Sequence, residues 1–573
     1  MSRASDGFNP AGWRSVTMLL FFGLAAAGLA GRALYLQVLD KQFLLTQGAE
    51  RHLRVEEIPA HRGMILDRNG EPLAVSTPVD SIWINPQEAS EALGRMPELA
   101  RALNEKPVEL MKLLHQNHDK EFVYLMRGLD PYAAQQVMAL GIPGVYTQRE
   151  YRRYYPAGEV TAHVLGFTNV DDRGQEGLEL GYDSWLRGVP GAERVIVDRY
   201  GRSVEDVESV RVPRPGQDMT TSIDLRIQYL AYRALKQAVL AQGARSGSIV
   251  VMDAKTGEVL AMANQPSFNP NNRAGSDGDE FRNRAVTDMF EPGSSMKPFT
   301  MVAALMSGKY QPDSIINTSP GTYKIAGYTI HDEQDFGRIN LTTIIEKSSN
   351  VGASKIALSL DPALMWHTLT AFGFGRSTGS GFPGEAPGSL EDYRYWNPAR
   401  QATISYGYGV AITALQLADA YDTLADGGRH LQPSFVRLDD TPVEDLVIPQ
   451  GVSATLRDML ETVVSDEGTG KLADIAGYHV AGKTGTAHVA VNGGYSADKY
   501  ISVFAGMAPA SAPRLVAVVV INQPSHGNYM GGKVSAPVFA EVMRGALRLL
   551  NIMPDDLSSL PPSAYAVNLG RAP

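Results

Sequence analysis

A serine and a lysine stand three residues apart in the segment Glu291-Pro-Gly-Ser294-Ser-Met-Lys297-Pro-Phe299. Pro298 constrains it: the ring clashes with the carbonyl four residues back and donates no N–H, so a helix containing it can scarcely begin before Ser294. Ser294 is therefore expected at a helix start. Lys297, nearly one turn on, falls on the same face, with its amine in reach of the hydroxyl. The free N–H groups of that helix end would face whatever binds beside Ser294. A serine with a neutral amine as its base can attack a carbonyl and hold an acyl group. An N-cap serine beside a surface lysine would leave the same trace. Ser-x-x-Lys recurs at Ser496 to Lys499, where a Gly-Gly-Tyr-containing turn between strands predicts a solvated loop.

Two clusters follow in order. Ser348-Ser349-Asn350 comes 54 residues after Ser294, and Lys483-Thr484-Gly485-Thr486 comes 135 residues after Ser348. Alone, the first passes as a helix end and the second as a strand edge. In this order the three match the motif set of penicillin-interacting serine enzymes. Burial of Lys297 would disfavour its charge, which is how a lysine becomes a general base near neutral pH. His331-Asp332-Glu333 is expected to be a solvated turn, and no H-E-x-x-H signals a zinc site.

These residues need a scaffold. The stretch Ser248 to Ala263 pairs two β-prone runs across Asp253-Ala-Lys-Thr-Gly257, a hairpin signature. Helical patterns follow at 297–307, 341–358 and 413–426. The chain then alternates strands (479–490, 500–507, 514–522) with an amphipathic segment at 536–550. Strands at both ends around central helices predict an α+β domain whose sheet pairs its first and last hairpins. The Pro-rich stretch at 211–218 marks the main boundary. From Ser15 to Gly31 the chain runs 17 residues without a charge, flanked by Arg14 and Arg32 and by Trp13 and Tyr35. Extended to Leu36, this is a candidate transmembrane anchor; small residues at Ala25, Ala27 and Ala30 leave a cleaved signal peptide as the rival.

Composition sets the outer limits. The 573 residues contain no cysteine, which excludes disulfides, cysteine-based metal centres and cysteine nucleophiles. With 52 basic against 62 acidic side chains, the net charge of −10 offers no basic patch for nucleic acid.

The chain resembles the class B penicillin-binding proteins, in particular the division-type peptidoglycan D,D-transpeptidases. The likeness rests on the three motifs and on Arg62-Gly-Met-Ile-Leu-Asp67-Arg68-Asn-Gly70, Tyr154-Tyr-Pro-Ala-Gly158 with His163, Gly177-Leu-Glu179, Thr221-Ser-Ile-Asp224, Tyr406-Gly-Tyr-Gly409 and Gly531-Gly532. It implies a cytoplasmic tail (1–14), a transmembrane anchor (15–36), an elongated non-catalytic pedestal (37–218), a penicilloyl-serine transferase (transpeptidase) domain (219–553) with a central antiparallel sheet flanked by helices, and a flexible tail (554–573). It also implies a single-pass inner-membrane protein with its catalytic domain in the periplasm, working in septal wall synthesis with no cofactor and no metal. The implied partners are D-Ala-D-Ala stem peptides, β-lactams, the membrane, a glycosyltransferase of the shape, elongation, division and sporulation family, and other division proteins.

The resemblance assigns roles residue by residue. Ser294 is the nucleophile, Lys297 the base, and the backbones of Ser294 and Thr486 form the oxyanion hole. Ser348 is the proton relay, and Asn350 orients Lys297 and the substrate amide. Lys483, Thr484 and Thr486 hold the terminal carboxylate, with Ser349 and Gly485 also lining the substrate. The activity implied falls in the serine-type D-Ala-D-Ala carboxypeptidase class. Two departures stand out: His488, where relatives often carry a basic residue, and Met530, where an aromatic often forms the pocket's hydrophobic wall. A serine β-lactamase shares the motifs, but Glu391 to Asn397 lacks the spacing and leucine of its deacylating turn. A catalytically weak division scaffold or β-lactam-binding protein is the other alternative.

Overall fold

The computed structural model describes residues 10–41, 53–197, 203–276, 278–440, 443–491 and 494–559. Residues 1–9 of the expected tail and 560–573 at the other end lie outside the described residues. Helix α1 (Pro10–Leu34) contains the uncharged run. With its continuation it forms a 26-residue segment, Trp13–Val38, long and apolar enough to cross a membrane and unburied along its length.

The rest forms two compact units interleaved in sequence. The first contains Pro78–Tyr151, Val189–Pro215 and the chain up to His61; the second contains Arg62–Thr77, Arg152–Gly188 and everything from Gly216. The last crossing lies within the Pro-rich stretch at 211–218. Residues 62–77 and 152–188, however, pack with the second unit, not with the N-terminal module expected to run unbroken to 218. The reason is burial: Ile65, Leu73, Tyr155, Leu165, Leu178 and Leu186 join the same core as Val250 and Phe299. Arg62 is locked there by Glu179 at 2.6 Å and Asp183 at 2.7 Å.

Strand β1 (Pro72–Ile84) belongs to the first unit from Pro78 on, where it pairs antiparallel with β2 (Val123–Leu129); β3 (Val145–Tyr154) also pairs with β1. Ile82 and Ile84 pack against Leu99 of α2 (Met96–Ala102), Leu110 and Leu114 of α3 (Pro107–Gln116) and Val137 of α4 (Pro131–Met138), the helices between these strands.

The second unit is built on a five-stranded sheet. Its strands are β4 (Ser246–Asp253), β5 (Val259–Gln265), β6 (Ala481–Val491), β7 (Gly494–Ala508) and β8 (Leu515–Asn522), in the order β5-β4-β8-β7-β6. All pairings are antiparallel, and the first hairpin meets the last through β4 and β8. Period-two alternation divides the strands: Ile249, Val251, Val519 and Ile521 face a core with Leu235, Phe539 and Met543. Val250, Met252, Val516 and Val518 face the other, with Phe299, Ile344 and Tyr421. Both faces are covered, so the strands read as continuous apolar runs. Helices α5 (Leu225–Ala241) and α10 (Ala536–Leu549) supply the first cover. The second comes from α6 (Lys297–Met306), α7 (Leu341–Glu346), α8 (Asn350–Ser359) and α9 (Ala414–Ala425). The expected single helix over 341–358 is two, broken at Ser348. Ser496 to Lys499 lies within β7, not in a turn; the Ser496 hydroxyl donates to Asp498 at 2.7 Å.

Candidate active site

Gly293–Met296 forms one 3-10 turn that leads into α6, with Pro298 in the first helical turn. This places the Ser294 hydroxyl above Lys297. The turn is wedged against strand β6: a Cβ on Gly293, whose φ is +55°, would lie 2.9 Å from the Thr486 carbonyl oxygen. From the other side the Gly293 N–H donates to the Gly407 carbonyl at 3.3 Å, which ties in the Tyr406-Gly-Tyr-Gly409 segment. Glu291 adds a clamp: its carboxylate accepts from the Gly409 N–H at 2.6 Å and the Tyr495 hydroxyl at 3.0 Å.

The lysines are the centre of the arrangement. Lys297 Nζ lies 3.0 Å from Ser294 Oγ and 3.1 Å from Ser348 Oγ, and also donates to the Ser348 carbonyl. Lys483 Nζ reaches the same Ser348 hydroxyl at 3.0 Å. The neighbours Ser294 and Lys297 thus form one contiguous chain with Ser348 and Lys483, both distant in sequence. Both lysines are fully buried. Burial holds Lys297 well below the usual lysine range, the adjacent Lys483 pushes it further down, and Asp332 opposes them. Burial lowers Lys483 to about 7. A neutral amine beside a serine hydroxyl can take its proton; the second amine can be an ammonium at the same pH.

Ser348 bridges the two because of its backbone. Its φ of +63° puts a non-glycine residue in the left-handed region, a strained conformation the surroundings must enforce. Asp332 helps enforce it. Its carboxylate accepts from the Ser349 hydroxyl at 2.6 Å and from the backbone N–H of Asn350 at 2.6 Å and Val351 at 2.9 Å, capping α8. The His331-Asp332-Glu333 stretch, expected to be a solvated turn, is therefore a support of the site. Ser349, expected to line the substrate, is instead a buried N-cap that also accepts from the Gly352 N–H at 2.8 Å. The Asn350 amide donates to the His331 carbonyl at 3.1 Å, and among the described residues no hydrogen bond joins it to Lys297.

Strand β6 is last in its sheet, which leaves one backbone edge for an extended ligand to pair with. Lys483 shares a face with its cross-strand partner Ala505, toward the helical layer that carries Ser294. The Thr484 hydroxyl lies 3.3 Å from Lys483 Nζ, and the Thr486 hydroxyl accepts from the Gly531 N–H at 3.0 Å. His488 is held by the Tyr408 hydroxyl, which accepts from its N–H at 3.1 Å, and by the Ser496 carbonyl, 2.8 Å from its Nδ1. Its ring lies 4.6 Å from Tyr500, which stacks on Tyr529 at 3.9 Å. Tyr529 immediately precedes Met530 in sequence, and Met530 itself is exposed.

Residues 247–544 match the family model described as the penicillin binding protein transpeptidase domain, and residues 57–221 match the penicillin-binding protein dimerisation domain. The chain is 46% identical over 552 residues to the probable peptidoglycan D,D-transpeptidase PbpC of Pseudomonas aeruginosa, covering 96% of this chain and 97% of that one. It is 43% identical over 574 residues to the peptidoglycan D,D-transpeptidase FtsI of Escherichia coli K12, covering 99% and 97%. The crystal structure of penicillin-binding protein 3 from Mycobacterium tuberculosis, complexed with aztreonam, superposes with a TM-score of 0.69 at 28% identity, covering 87% of this chain and 98% of that one.

Proposed function

The chain belongs to the penicillin-binding protein transpeptidase family, and from that premise we propose that it is a peptidoglycan D,D-transpeptidase acting through an acyl-enzyme on Ser294. The observation that carries the residue assignment is the unbroken polar chain from Ser294 Oγ through Lys297 Nζ and Ser348 Oγ to Lys483 Nζ, with each contact at 3.1 Å or less.

Lys297, neutral because it is buried beside a second amine, takes the proton as Ser294 Oγ attacks the carbonyl of the penultimate D-Ala. The Ser294 and Thr486 N–H groups stabilise the oxyanion. Ser348, touching both amines, passes a proton to the departing D-Ala nitrogen as the peptide C–N bond breaks. Lys483, as an ammonium, and the Thr484 and Thr486 hydroxyls hold the terminal carboxylate, while the open edge of β6 pairs with the peptide backbone. The acyl-enzyme then passes its acyl group to an amine of a second stem peptide. That amine loses a proton, and Ser294 regains one. Transfer to water instead would give the D-Ala-D-Ala carboxypeptidase half-reaction. A β-lactam carries the same carboxylate beside a strained amide and acylates Ser294.

Helix α1 anchors the protein once in the inner membrane, with the second unit in the periplasm. The work is septal cross-linking alongside a membrane glycosyltransferase of the shape, elongation, division and sporulation family and other division proteins. The test is covalent labelling of the full-length protein by a fluorescent penicillin. Labelling is expected in the wild type and absent in Ser294→Ala, with slow release of label. Label retained in Ser294→Ala, or released within seconds as by a β-lactamase, overturns the assignment.

A further inference from the structure

Thr469 belongs to none of the three motifs, yet its hydroxyl lies 2.9 Å from the Thr484 hydroxyl. It is an exposed residue in the loop between Val463 and Gly470. The loop is pinned on several sides. The Gly470 N–H donates to the Val463 carbonyl at 2.8 Å, and the Thr469 carbonyl packs so tightly on Gly532 that a Cβ there would lie 2.1 Å away. Lys347, next to Ser348 in sequence, donates to the Glu467 carbonyl at 2.7 Å. The hydroxyl of Thr469 is thereby delivered to one place, beside the subsite formed by Lys483 and Thr484.

A threonine hydroxyl has one proton to give and two lone pairs. At Thr484 one lone pair faces Lys483 Nζ at 3.3 Å, a group with only donors when charged. If Thr469 donates as well, both lone pairs are filled, and the Thr484 proton has no use except toward an acceptor outside the protein. We infer that Thr469 is a positioning residue of the terminal-carboxylate subsite: it fills the second lone pair of Thr484 and aims that hydroxyl's proton at the substrate anion. This rests on reading Lys483 to Thr486 as the carboxylate subsite. Thr469 then sets the preference for an anionic chain end without touching the reacting carbonyl.

The experiment compares acylation of the full-length protein by benzylpenicillin and by its uncharged methyl ester, as second-order rate constants. In the wild type the acid should react faster than the ester. Thr469→Val should slow the acid about tenfold, one charge-assisted hydrogen bond, and leave the ester unchanged, so the acid-to-ester ratio falls by the same factor. Thr469→Ser should restore the ratio to within about twofold. Equal slowing of acid and ester would make Thr469 a mere clasp of the loop, and an unchanged ratio would remove it from the subsite; either overturns the inference. A wild type that shows no preference for the acid overturns instead the reading of Lys483 to Thr486, and the inference with it.

Discussion

Arg62 and Arg153 meet at the carboxylate of Glu179, one on each oxygen at 2.6 Å, while Lys297 and Lys483 meet at nothing but the Ser348 hydroxyl. All four basic side chains are buried in the second unit. In the first cluster burial disfavours the Arg62 charge, but Glu179 and Asp183 outweigh it and hold the guanidinium above its ordinary value. In the second, burial lowers both amines below their ordinary values, and the like charge of Lys483 lowers Lys297 further. Desolvation is common to the two clusters; the sign of the neighbour decides whether it yields a fixed ion or a proton carrier. A buried ion with its counter-ion holds a fold together. A buried pair of like ions joined by a hydroxyl can do chemistry near neutral pH.

If that contrast is right, the two clusters fail in different ways. Replacing Lys297 by Met removes the base and, with it, one of two adjacent buried amines. Acylation by a fluorescent penicillin should fall about a thousandfold, with the melting temperature unchanged or raised. Retained acylation would break the assignment of the base. Glu179→Gln should do the reverse. It leaves Arg153 without a counter-ion among the described residues and Arg62 with Asp183 alone, and should cost about 3–5 kcal/mol of stability, read by thermal or denaturant unfolding. The folded fraction should still acylate at the wild-type rate.

The pH dependence sharpens the lysine side. Below about 7, Lys483 is an ammonium able to hold an anion, and above it the charge is lost. The second-order acylation constant for a carboxylate-bearing β-lactam should therefore fall on the alkaline side, approaching tenfold per pH unit. Arginine cannot lose its proton in this range, so Lys483→Arg should flatten that limb even if its overall rate is lower. A limb that persists in the arginine variant would assign it to another group.

How far such clusters show in a sequence depends on who holds whom. Ser294 and Lys297 are legible because one helical turn carries both and Pro298 fixes where it starts. Ser348 and Lys483 are legible only through the order of three motifs, since nothing local says that they share a hydroxyl. Asp332 is not: a short strand and the whole of α7 lie between it and the helix it caps, and an acid between a histidine and a glutamate looks like any solvated turn. Ser349 caps α8, a role that suits a serine at a helix start and that the order of the motifs does not signal. The sheet was legible from its apolar runs and the Asp253 to Gly257 turn. The interleaving of the two units was not, because Gly and Pro mark where a chain turns but not which core it enters. Arg62 and Glu179, far apart in sequence, make that choice only once they pair.

A third buried cluster tests whether like charge alone is enough. Helix α9 carries Asp419 and Asp422 and is C-capped by Asp426, and both Asp422 oxygens are buried with no hydrogen-bond partner among the described residues. Burial pushes this carboxyl well up, and Asp419, Asp253 and Asp426 push it further, against Lys255. No hydroxyl bridges it to a nucleophile, so the only consequence is energetic. The folded-state value lies above the unfolded one of about 3.9, so the folded protein binds the extra proton. Its stability contribution is intact below about pH 4 and declines as pH rises toward the folded value. Asp422→Asn removes the titration and should stabilise the protein increasingly from pH 4 to 8, by about 1–2 kcal/mol at the upper end. Unfolding curves at the two pH values measure this, and acylation should not change. A gain independent of pH would mean that Asp422 does not titrate differently on folding. A loss at pH 8 would mean an ionised carboxylate with a partner, which would place the cluster with Glu179 instead of with the lysines.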